Sequence, residues 1–134
     1  MEPANQTVPW EDIRLLEGEN IWHLPSTVYR SWELVVGDDE GHPDDYLLTQ
    51  AKDVCGEATR HCEAAVSHLR EYVTRFDSEG WCVDALRFET PNSFVAELSH
   101  SDDTYGLWTV FMDGSRFNGG AMNYRPTRFT RTQD

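Results

Sequence analysis

Four residues with metal-binding chemistry fall close together in this chain: Cys55, His61, Cys62 and His68. Thiolates and imidazoles are the usual ligands of tetrahedral zinc. On a helix turning about 100° per residue, the two cysteines share one face and the two histidines lie roughly a third of a turn away. The four therefore cannot converge on one ion, and neither a metal nor a cofactor is expected. Cys55 and Cys62 would stand about 10 Å apart along such a helix, beyond disulfide reach. With Cys82 they make an odd number, which predicts buried thiols rather than a disulfide framework.

Carboxylates are the second group able to do chemistry. Asp38, Asp39, Glu40, Asp44 and Asp45 crowd into one short segment, and Asp102 and Asp103 form a second pair. Read as a calcium loop the first cluster fails, because Pro43 stands where the tight turn needs glycine and no glutamate closes the loop. A solvated acidic surface on which a basic protein docks is the functional expectation, with Asp38, Asp39, Glu40, Asp44, Asp45, Asp102 and Asp103 as candidate partner-binding residues. Glu97 and His100 can be drawn as an acid–base pair. No nucleophile, orienting group and oxyanion donor accompany them, so no catalytic residue is assigned and an enzyme is not expected. Gly119 and Gly120 precede neither an amphipathic helix nor a Lys-Ser/Thr pair, so a phosphate cradle is not predicted.

The chain's 24 acidic residues outweigh its 11 basic ones, a formal net charge of −13. Such a field repels phosphate backbones and anionic lipid surfaces, so neither nucleic acid nor membrane is an expected partner. The charge is uneven: residues 116–134 carry Arg116, Arg125, Arg128 and Arg131 against Asp134 alone. No apolar stretch reaches membrane-spanning length and the first residues have no basic, apolar leader, which predicts a cytoplasmic address.

The elements that must position these groups follow from periodicity. A chain of 134 residues fits one domain, with residues 1–9 and 126–134 as loose ends. Val28, Trp32, Leu34 and Val36 alternate as a strand face, and residues 20–24 suit its hairpin partner. From 44 to 76, Leu48, Ala51, Cys55, Ala58, Cys62, Ala65, Leu69, Tyr72 and Phe76 recur at spacings of three and four, an unbroken helical seam. Gly56 weakens that helix by up to about 1 kcal/mol and could kink it. Three apolar runs follow, 81–89, 94–100 and 107–112, separated by turn compositions, which predicts an antiparallel meander with a bulge near Ala85. The expected fold class is α+β: an antiparallel sheet of about five strands with one long helix, straight or kinked, packed on one face.

Strands near 28–36, a helix over 44–76 and a meander ending in Tyr105, Gly106, Leu107, Trp108, Thr109, Val110 and Phe111 together resemble the small acidic immunity proteins with which bacteria neutralise cytoplasmic toxins. That resemblance is one of layout and charge and carries over no residue. It implies stoichiometric binding to a cognate toxin, often a basic nuclease whose substrate charge the inhibitor imitates. The alternatives are a small enzyme or small-molecule binder with a pocket between helix and sheet, and a subunit that dimerises through a sheet edge.

Overall fold

The computed structural model of the chain describes residues 8–16, 18–25, 32–116 and 122–133. Eight strands make one mixed sheet: β1 (Arg14–Leu16), β2 (Ile21–Leu24), β3 (Glu33–Asp39), β4 (His42–Pro43), β5 (Trp81–Thr90), β6 (Ser93–His100), β7 (Asp103–Arg116) and β8 (Met122–Gln133). Their order is β1-β2-β3-β5-β6-β7-β8, with the short β4 hairpinned onto the end of β3. Among the described residues two α-helices interrupt the strands, α1 (Asp45–Cys55) and α2 (Ala58–Tyr72), and one turn of 3-10 helix, Trp10–Asp12, precedes β1. The expectation of five antiparallel strands under one long helix is therefore corrected on three counts.

First, β3 and β5 run parallel, with Leu34 opposite Leu86 and Val36 opposite Phe88. Parallel neighbours cannot be joined by a tight turn, and here α1 and α2 supply the crossover. Second, the helical seam breaks at Gly56 and Glu57. Glu57 takes φ −133°, outside the helical range, and starts α2 without a side-chain cap. Two helices of about 17 and 22 Å can each lie on the sheet, which a single rod spanning 44–76 could not do without overhanging it. Third, the Arg-rich tail is strand: residues 126–133, expected to be loose, continue β8 alongside β7. The expected strand at 28–36 falls partly outside the described residues; from Glu33 onward it belongs to β3, while Trp32 lies in a bend before it.

Other expectations stand. β2 pairs antiparallel with β3, and β5, β6 and β7 form the meander, with a register shift between Val83 and Ala85. The β5–β6 turn is Pro91-Asn92, and Asn92 takes φ +65°, a backbone state that asparagine tolerates better than most residues.

One core holds the layers together. Leu34, Val36, Leu86, Phe88, Phe94, Ala96, Leu98, Trp108, Val110 and Met112 from the sheet meet Leu47, Ala51 and Val54 of α1 and Ala65, Val66 and Leu69 of α2. The seam is rotated from the one expected. His61, placed on a flank by periodicity, is buried edge-on against Phe94 and Tyr124, whereas Tyr72, placed in the seam, is 60% exposed. Burial is the first cause that lowers His61's pKa, aided by the nearby Arg60 charge.

Asp44 caps α1 by accepting the Leu47 N–H at 3.0 Å, a contact worth about 1 kcal/mol. Buried Gln50 latches α1 to the β5–β6 turn: its Nε2 donates to the Ser93 carbonyl at 2.6 Å and its Oε1 accepts the Asn92 N–H at 3.0 Å. Among the described residues no helix is long and apolar enough to cross a membrane.

Candidate functional site

The candidate acids do not form one surface. Register places Asp38 and Asp39 beyond Val36, which pairs with Phe88 near the end of β5, so they lie at the Pro91-Asn92 end of the sheet. Asp102 in the β6–β7 turn and Asp103, the first residue of β7, lie at the other end of β6, about 24 Å away along the strand.

At the first end the acids have divided roles. Asp38 accepts the Trp22 indole N–H at 2.8 Å, and Asp44 is spent on the cap of α1. Asp39, Glu40 and Asp45 are exposed, and their carboxylates make no hydrogen bond or ion pair among the described residues. They sit on a hairpin turn and on the capped start of a helix. Asp39 pairs with His42 across a two-residue turn in which Glu40 and Gly41 have φ +53° and +94°, the condition of a type I′ hairpin. Glycine suits that state without cost, whereas a glutamate there loses about 1 kcal/mol relative to a relaxed backbone. His42 lies among these acids. Its bond to the Pro43 carbonyl raises its pKa, and the charges of Asp39, Asp45 and Asp38 add to that rise.

At the second end Asp103 is structural. Arg131 grips its carboxylate with two bonds, Nε to Oδ2 at 2.9 Å and Nη2 to Oδ1 at 2.8 Å, and the Trp108 indole N–H donates to Oδ2 at 2.8 Å. These bonds, Arg131's first, hold Asp103 well below the usual carboxylate range. A Cβ on Gly106 would run into the same carboxylate and the Arg131 guanidinium, so a larger residue there would have to displace this pair. Asp102 keeps an exposed carboxylate, while its N–H donates to Nδ1 of buried His100 at 2.9 Å. His100 stacks on Phe76, and its other ring nitrogen, which then carries the proton, donates to the Asp77 carbonyl at 2.6 Å.

Glu97 and His100, drawn together from the sequence, lie on opposite faces of β6. Glu97 belongs instead to the sheet face away from the helices, where strand alternation and register bring together Glu33, Arg87, Glu89 and Glu97. Arg87 bonds Glu89 at 2.9 Å and approaches Glu97 at 3.9 Å, and His23 meets Glu33 at 2.9 Å. Burial raises the Glu97 pKa, the Arg87 charge opposes that rise, and Glu33, Glu89 and Asp84 reinforce it. No spacing rule reveals this network, because its members come from three strands whose order depends on the parallel β3–β5 pairing.

The helical thiols and imidazoles do not converge either. His61 is in the core, His68 lies against Tyr72 and Phe129, and burial pushes the Cys62 thiol up to about 11. Among the described residues no group of three or more metal-ligating side chains is clustered. Two open depressions are present. One of about 260 Å³ lies where α2 ends over the sheet, lined by Tyr72, Val73, Thr74, Arg75, Trp108 and Phe129; the other, of about 330 Å³, lies beside Arg87, Phe111 and Arg128. The first is below, and the second only just above, the lower end of about 300 Å³ for small-molecule sites.

No protein-family model, curated protein or solved structure matches the chain.

Proposed function

We propose that this protein is a cytoplasmic, stoichiometric binding protein of the inhibitor type, which docks a basic protein, such as a toxin, on the acidic tip formed by Asp39, Glu40 and Asp45. The observation that carries this proposal is Glu40. It occupies a left-handed position where glycine or asparagine would be more stable, so the hairpin gives up stability to present a carboxylate at its outermost point. The turn and the capped helix start hold all three carboxylates on ordered backbone, which lowers the entropy lost on docking. The net charge of −13 steers a basic partner toward the molecule and disfavours nucleic acid. Asp38, Asp44 and Asp103 contribute through the fold, by holding Trp22, α1 and Arg131.

The test uses the tagged full chain as bait in host extract. A single basic protein is expected to be retained in a 1:1 complex, and Glu40→Asn is expected to weaken that complex while raising the stability of the free chain. Absence of any 1:1 partner, or a variant both more stable and equally tight, would overturn the proposal.

A further inference from the structure

The sheet order leaves β8 as an edge strand, and no described element pairs with its outer side. Exposed edges are templates for another strand unless they are short, bulged or interrupted by proline. β8 carries such a defect only in its first half: Pro126 stands there, and Thr127 is an extra residue opposite the register shift between Phe111 and Met112. Beyond it, residues 128–133 pair continuously with β7 from Phe111 to Gly106, a regular edge of about 20 Å.

Strand alternation gives the two sides of this edge different chemistry. Toward the helices stands Phe129, contacted by His68 and by exposed Tyr72 of α2, an aromatic ridge that no described residue covers. On the other side lie Arg125, Arg128, Thr130 and Thr132. Arg128 stacks on Phe111, its guanidinium carbon 3.6 Å from the ring centroid, and neither Arg125 nor Arg128 has a carboxylate partner among the described residues. In a chain of net charge −13, β8 contains three arginines and no acid.

We propose that the outer edge of β8 binds an extended peptide segment of alternating apolar and acidic residues by strand addition. Its apolar side chains would lie along Phe129 and Tyr72, and its carboxylates beside Arg128, with the charge of Arg125 just past the bulge at the end of the paired segment. A second copy of the chain is the poorer occupant, because two β8 strands, each with three arginines and no acid, would bring like charges together along one edge. This surface is independent of the acidic tip and does not rest on the function proposed above.

The probe is a fluorescent, N-acetylated peptide of alternating valine and glutamate as long as β8, titrated against the full chain at low and moderate salt. Saturable binding is expected, with slower amide exchange along residues 128–133 and a loss of about tenfold or more in Arg125→Glu/Arg128→Glu. The same peptide N-methylated at alternate residues cannot complete the ladder and should bind at least about tenfold more weakly to the unaltered chain. Equal binding of the N-methylated peptide or of one with the same composition in two blocks, no saturable binding, or light scattering showing that β8 is occupied by a second copy would each overturn the proposal.

Discussion

Replacing Gln50 by leucine removes the latch that fixes α1, whose first residue is Asp45, to the β5–β6 turn. The Gln50 side chain is 6% exposed and satisfies two main-chain groups, the Asn92 N–H and the Ser93 carbonyl. Leucine is close in volume and satisfies neither. Each of the two main-chain groups left without its partner costs about 1–3 kcal/mol, and the added apolar burial returns about 1 kcal/mol, for a net loss of about 1–5 kcal/mol with a centre near 3 kcal/mol. With a urea dependence of about 1–3 kcal/mol per molar, the unfolding midpoint should fall by about 1 M or more. Tryptophan fluorescence in urea measures the midpoint, and hydrogen exchange at the Asn92 amide measures the latch. Tyr46, whose hydroxyl donates to Asn92 Oδ1 at 2.6 Å, remains in place, so the turn loosens without detaching. An unchanged midpoint together with unchanged exchange at Asn92 would refute the assignment of Gln50 as the latch.

Three further outcomes are expected. Because burial lowers the His61 pKa, the unfolded chain takes up this proton first as pH falls; His61 therefore stabilises the fold fully above about pH 6.5, and that contribution is lost as pH falls toward the folded-state pKa. His61→Leu should flatten this part of the curve of unfolding midpoint against pH. Asp103→Asn should lower the thermal midpoint well beyond the effect of Asp102→Asn, since only Asp103 is gripped by Arg131 and Trp108. Cys62, with its thiol pushed up to about 11, should react with a disulfide reagent at pH 8 far more slowly than exposed Cys82, as read by mass spectrometry of the labelled peptides.

Periodicity carried the local elements and failed where register decides. The meander, the β2–β3 hairpin and the bulge near Ala85 are legible because turn residues and period-two alternation are properties of single segments. The parallel β3–β5 pairing is not, since Leu34 and Val36 alternate alike in either orientation. The helix break at Gly56 lay within one residue type's ordinary tolerance; what decides it is the width of the sheet beneath. β8 was missed because Arg125, Pro126 and Arg128 read as tail, although Tyr124, Thr127, Phe129, Thr130 and Thr132 have high strand propensity. Of the candidate acids, sequence found the charge and not its use. That Asp103 is gripped by Arg131 depends on a partner 28 positions away. That Glu40 pays for its position depends on a φ angle.

The association rate between the full chain and its retained partner, followed by stopped flow against ionic strength, tests the central claim most directly. For the unaltered chain the rate should fall steeply with salt. For Asp39→Asn/Glu40→Gln/Asp45→Asn, which keeps the caps and the Trp22 bond, it should start slower and change much less. A rate independent of salt, or a triple variant indistinguishable from the unaltered chain, would contradict docking through the acidic tip.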